Sequence, residues 1–150
     1  MVVYRISKRI YIQDLMGTGC KFEPGRWHQL GTQILYTSET VSLAKLEILA
    51  NANRIPLDMC LAYIEIADHL TIDTLNPKSL PKQWNQTPYP NKLALLVKSW
   101  KKDNKSIALR VPSVHSPTEY NVLLNPHHAE YKDVKIIKME EAGFDGRFFR

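Results

Sequence analysis

Two stretches rich in structure-breaking residues divide this chain and limit how it can fold. Residues 17–31 hold four glycines and Pro24, and residues 76–91 hold four prolines. At that density both stretches are irregular, so the regular elements lie before, between and after them. Val2 to Ile12 alternates in part, with Val3, Ile6 and Ile10 set against Arg5 and Lys8, and is predicted to form one or two short strands. Ile34-Leu35-Tyr36-Thr37 reads as a short buried strand. A helix is predicted from about Ser38, which can cap it, with Glu39 in its first turn. Val41, Leu43, Ala44, Leu46, Ile48 and Leu49 make this helix apolar around much of its circumference, which predicts that it is largely buried. Leu57 to Ala67 reads as a long strand and Leu93 to Lys101 as a helix. Strands are predicted at Ser106 to Val111, Tyr120 to Leu124 and Val134 to Met139, with a helical turn at His127 to Tyr131. Strands dominate and do not alternate strictly with helices. The expected class is α+β, with mostly antiparallel sheets and flanking helices in a single domain over 1–150.

Composition removes several function classes. With 150 residues, 44% of them hydrophobic and 23% charged, the chain resembles an ordinary soluble domain. No apolar run approaches the roughly 20 residues of a membrane helix, and Met1-Val2-Val3-Tyr4-Arg5 reads as a strand, not a signal peptide. Cys20 and Cys60 are too few for a disulfide scaffold and fit no zinc spacing, which suits packing residues in a reducing cytoplasm. The adjacent pair His127-His128 is poor metal geometry without other ligands. The net charge of +5 favours an anionic partner. Basic residues are scattered, with small clusters at Lys8-Arg9 and from Lys98 to Lys105, and there is no basic tail. Nothing in that distribution singles out direct nucleic-acid binding.

Three residues stand in contexts that chemistry can use. Glu47 has two open readings. It is a helix glutamate facing solvent or pairing with Lys45 or Lys102, or it is a carboxylate sharing a face with Leu43 and Ala44, which is costly unless paired or functional. Arg26, in Gly25-Arg26-Trp27, is either a surface arginine or a bidentate ligand for phosphate, with Trp27 placed to stack on a flat ring. Tyr36 is either core packing or part of the same region. Ser113 follows Pro112 at a strand end. No Gly-x-Ser-x-Gly elbow surrounds it and no acid–histidine partner is evident, so it does not read as a hydrolase nucleophile. Asn121, Asn125 and His128 could each satisfy loop backbone.

Taken in order, these segments resemble the RES domain family, the toxins of RES–Xre type II toxin–antitoxin systems. The resemblance runs from Tyr4-Arg5 through Gly25-Arg26-Trp27, Gly31-Thr32, Leu35-Tyr36-Thr37-Ser38-Glu39 and Leu43-Ala44-x-x-Glu47. It continues through Leu80-Pro81-x-x-Trp84, Trp100, Leu109-Arg110-Val111-Pro112-Ser113 and Glu119-x-Asn121-x-Leu123-Leu124-Asn125-Pro126-x-His128, and ends at Phe144-Asp145-x-Arg147. Where the family commonly has Asn after Gly-Arg-Trp, this chain has His28. The helix before Trp100 also lacks the Gly often found there.

That resemblance implies an ADP-ribosyltransferase-like fold and an enzyme that consumes NAD as substrate, with no bound cofactor. Cleaving the nicotinamide–ribose bond develops an oxocarbenium ion, as in glycoside cleavage. The implied roles are Glu47 stabilising that charge and holding a ribose hydroxyl, and Arg26 gripping the pyrophosphate. Tyr36 would position the nicotinamide, Ser113 would fix substrate or Glu47, and Trp27, Asn121 and His128 would complete the binding site. The acceptor could be water, phosphate or a protein side chain. The resemblance also implies an Xre-type helix-turn-helix antitoxin, leaving DNA binding to that partner, a homodimer within the antitoxin complex, and a bacterial cytoplasmic setting. Two further expectations compete with NAD breakdown: mono-ADP-ribosylation of a cellular protein, and a non-catalytic RNA-binding toxin.

Overall fold

The computed structural model describes residues 1–150. Nine main elements follow one another: β1 (Val2–Lys8), β2 (Leu35–Ser38), α1 (Val41–Ala50), β3 (Met59–Ile66), β4 (Ile72–Thr74), α2 (Lys92–Asp103), β5 (Ala108–Pro112), β6 (Tyr120–Leu124) and β7 (Val134–Glu141). The strands form one sheet in the order β4-β5-β6-β2-β1-β3-β7. Only β4 and β5 run parallel, so the chain is α+β with a mostly antiparallel sheet.

Several boundaries depart from the sequence reading. The first segment is one strand, ending at Lys8 and followed by a 3₁₀ turn at Arg9–Tyr11. Thr40, not Ser38, caps α1: its φ/ψ of −131°/153° is extended and its Oγ1 accepts from Leu43 N at 3.1 Å. Ser38 stays in β2, and Glu39 lies outside the helix, where Arg110 Nε donates to its carboxylate. The helix is also less buried than its composition suggests. Only Leu43 and Ala44 are buried, and Leu46 is 39% exposed. One side of α1 lies on the sheet and the other faces water, so an apolar circumference did not mean an enclosed one.

Cross-strand partners share a face, and the register sorts the core. Val3, Leu35, Ala62, Ile64, Val122 and Leu124 belong to one large cluster that Ile12 and Leu70 complete. Tyr4 pairs with Tyr63 and Ser38, Tyr36 with Leu123, and Asn121 with Ser38 and Val111, which defines the opposite face. Two separate layers cover that second face. Over β1 and β3, α1 packs through Ala44, Val41 and Ile48 against Ile6, Leu61 and Tyr63. Over β5 and β6, Leu93, Val97 and Trp100 of α2 pack with Trp27 and Ile34 against Leu109, Val111 and Leu123. Between the two layers the face is floored by Tyr36 and Ser38 of β2 and Asn121 of β6.

Two strand pairings differ sharply in extent. β1 pairs with β3 over seven residues, from Val2 to Lys8, but with β2 at one position, Tyr4 opposite Ser38. Past that position β1 and β2 diverge, and a cavity of about 290 Å³ lies there, lined by Arg5, Cys20, Glu23, His28, Leu35 and Tyr36 among others.

Candidate active site

The gap between the two layers gathers residues that are far apart in the chain. Glu47 projects from α1 toward the floor. Asn121 Nδ2 donates to its Oε1 at 2.5 Å, and Ser113 Oγ donates to the same oxygen at 3.3 Å. Ser38 Oγ donates in turn to Asn121 Oδ1 at 2.7 Å, which fixes the amide so that its NH₂ points at Glu47. Neither lysine weighed from the sequence is the partner: Lys45 Nζ donates to the Gly143 carbonyl. Ser113 Oγ accepts from the backbone N–H of His115 at 3.1 Å while its proton goes to Glu47. That arrangement orients a carboxylate and does not activate a serine.

Arg26 enters from the glycine-rich loop. Its Nη1 donates to the carbonyls of Trp84 (2.7 Å) and Gln86 (2.8 Å), and its guanidinium lies 4.9 Å from the centroid of the Tyr89 ring. Partial burial lowers its pKa, while Tyr89 and the Glu47 carboxylate act to raise it. The irregular 76–91 stretch is thus a wall of the site, tied to the first loop through one arginine. With Nη1 engaged, three of the five guanidinium donors stay available to an anion.

Tyr36 sits beneath this loop, and burial drives its phenol pKa well above the usual range. His28 explains how it is held. His28 Nε2 lies 2.8 Å from the Glu23 carbonyl and Nδ1 lies 2.7 Å from Tyr36 Oη. A carbonyl only accepts, so Nε2 carries the proton, Nδ1 accepts, and the Tyr36 hydroxyl donates. Burial holds the His28 pKa below its ordinary value, against the opposing effect of the Glu23 bond. Gly25 is required here, because a Cβ would stand 2.7 Å from His28 Cε1 and 3.1 Å from Tyr36 Oη.

Two residues expected to bind substrate are not brought to Glu47. Trp27 is 5% exposed and packs in the second-face core, its ring tilted against Trp84 at 6.3 Å. The breaker-rich loop needs a hydrophobic anchor, and Trp27 supplies it. His128 lies past the far end of β6. Four strand residues at roughly 3.3 Å each separate Asn125 from Asn121, or about 13 Å. There His128 Nδ1 accepts from the Glu130 backbone N–H, and Asn125 braces the turn through His127 N and Asn104. Conversely, His115 and Tyr89 belong to the site and were not anticipated. His115 Nε2 is 3.5 Å from Glu47 Oε2. The cavity beside Tyr36 includes neither Arg26 nor Glu47.

Chemically, the cleft sets a carboxylate with one saturated and one partly open oxygen opposite a guanidinium with free donors. Such a pair can hold an anion and stabilise a nearby cation. No cluster of three or more His, Cys, Asp or Glu side chains is placed to hold a metal ion. No helix is long and apolar enough to cross a membrane.

Comparison with known proteins agrees with this architecture. The RES domain profile matches residues 2–145. A protein named Toxin Res from Photorhabdus laumondii is 35% identical, covering 100% of this chain and 98% of its own length. The Prs ADP-ribosylating toxin of a Sphingobium species is 33% identical over 91% of this chain and 88% of that protein. A chain in the crystal structure of the Mycobacterium tuberculosis MbcT–MbcA toxin–antitoxin complex superposes with a TM-score of 0.72 at 12% identity, covering 99% of this chain and 86% of that one, a likeness of fold. On the family profile and two near-full-length relatives, the chain belongs to the RES domain family, among the Res toxins.

Proposed function

We propose that this protein is the toxin of a toxin–antitoxin pair and acts by cleaving the nicotinamide–ribose bond of NAD. The observation that carries this reading is Glu47, held by Asn121 and Ser113 in a cleft that Arg26 faces. As nicotinamide departs, positive charge builds on the ribose, and the oriented carboxylate stabilises it. Arg26 offers its free donors to the pyrophosphate. Tyr36, whose hydroxyl His28 fixes, presents its ring at the floor. NAD is the substrate, and water or phosphate accepts the ADP-ribosyl group.

A second reading has its own support: one relative is named as an ADP-ribosylating toxin. The same bond is then broken and a protein side chain is the acceptor. In both readings the partner is an antitoxin that covers the cleft, of the Xre type with its own DNA-binding helices.

The test is NAD content in cells expressing the wild type or Glu47→Ala, with folding of both checked by circular dichroism. NAD should fall only with the wild type. Growth arrest with stable NAD would remove hydrolysis and phosphorolysis and leave transfer to a protein, read as label from NAD on a cellular target. A toxin whose Glu47→Gln variant still arrests growth would instead be a binding toxin, such as one acting on RNA.

A further inference from the structure

The turn that carries Ser113 into the cleft also brings His115. Its Nε2 stands 3.5 Å from Glu47 Oε2, the carboxylate oxygen that neither Ser113 nor Asn121 engages. Its own backbone N–H holds Ser113 Oγ, so one residue reaches the carboxylate by two routes. The two side chains are similarly open, at 31% and 32% exposure. Nothing else in the structure pairs with the imidazole.

We propose that His115 is a positioning residue that sets the orientation of Glu47. The proposal rests on the reading of Glu47 as the group that stabilises the ribosyl cation. The imidazole flanks Oε2 at 3.5 Å while Asn121 and Ser113 hold Oε1, so each carboxylate oxygen has a polar neighbour that limits its rotation. The other charged groups on neighbouring elements are accounted for. Arg26 faces Glu47 from the glycine-rich loop. Arg110 pairs with Glu39, and Glu119 accepts from Thr40 Oγ1.

The experiment is nicotinamide release from NAD by the full chain at neutral pH, for wild type, His115→Ala, His115→Gln and Glu47→Ala. His115→Ala should lower kcat about tenfold, the effect of losing one polar neighbour of a charged group, with KM for NAD within about twofold. His115→Gln keeps an N–H donor on the side of Oε2. It should recover kcat, a rescue that mere packing would not produce. Wild-type kcat in His115→Ala, or a loss in His115→Ala that His115→Gln does not recover, would overturn the proposal and leave Glu47 as read. Full release from Glu47→Ala would overturn both, since His115 acts only through Glu47.

Discussion

Asn121 is the hinge of the site's hydrogen bonding: it accepts from Ser38 and donates to Glu47. Asn121→Ala should lower nicotinamide release about tenfold through loss of that donor. Asn121→Asp should be worse, because it sets a second carboxylate against Glu47 where an amide donor stood, replacing a hydrogen bond by like-charge repulsion. Steady-state kinetics of the two variants checks the order, and an Asp variant more active than Ala would refute it. His28 yields a prediction of opposite character, about stability. Its folded pKa is depressed by burial, while the unfolded chain titrates near about 6.5. The unfolded state therefore binds the proton first. Stability is whole above that unfolded value and is lost as pH falls from there toward the folded one. His127 shifts in the same direction, by burial and then by Lys101 and Lys21, so only the difference between wild type and His28→Asn isolates His28. Urea midpoints should fall less between neutral and acid pH in the variant than in the wild type, and equal falls would dismiss the effect. At this scale the sequence was uneven as a guide. Arg26, Glu47 and Ser113 sit in local contexts that can be read. His115 and Tyr89 do not, because their partners, Glu47 and Arg26, lie far back along the chain and meet them only in the fold.

The helix α1 shows how an element can serve a site without being central to the core. Its N-terminus is fixed twice: Thr40 Oγ1 accepts from Leu43 N and donates to Glu119 Oε1. Thr40→Ala should cost about 1 kcal/mol in urea denaturation, with Thr40→Ser close to wild type. An unchanged midpoint in the Ala variant would show the cap to be dispensable. Element prediction succeeded where apolar patterning was local, as in β3 and β6, and missed β4. Ile72–Thr74 is three residues long and only its first is even half-buried. It is a strand because β5 accepts it in parallel register, a pairing that no local pattern encodes. At the opposite edge β7 offers eight residues, with Ile137 and Met139 exposed. A register shift at Tyr63/Ile64 and the side chains of Lys135 and Lys138 discourage edge-to-edge pairing there.

Across the whole molecule, the walls of the cleft belong to different core clusters. Trp27 anchors the Arg26 wall, while Tyr89 lies at its surface. Trp27→Ala should therefore cost about 3–5 kcal/mol of stability, whereas Tyr89→Ala should keep the melting temperature and raise KM for NAD. Calorimetry with kinetics on both variants separates the roles, and a stable Trp27→Ala protein with a raised KM would reverse them. The α+β class was legible because breaker-rich stretches isolate the strands. The cleft was not, since it exists only where two independent layers leave the same sheet face uncovered.

The single residue pair joining β1 to β2 gives the sheet a seam. On one side of it lie the strands bearing Tyr36 and Asn121 and the turn bearing Ser113. On the other lie the strands on which the Glu47 helix rests. One face is sewn together by a continuous core, and the other is open. Amide exchange at Tyr4 and Ser38 should thus report breathing of the two halves, slowed by any ligand that bridges them. A nucleotide lying across the cleft would act as a suture, so that occupancy itself closes the site around its contents.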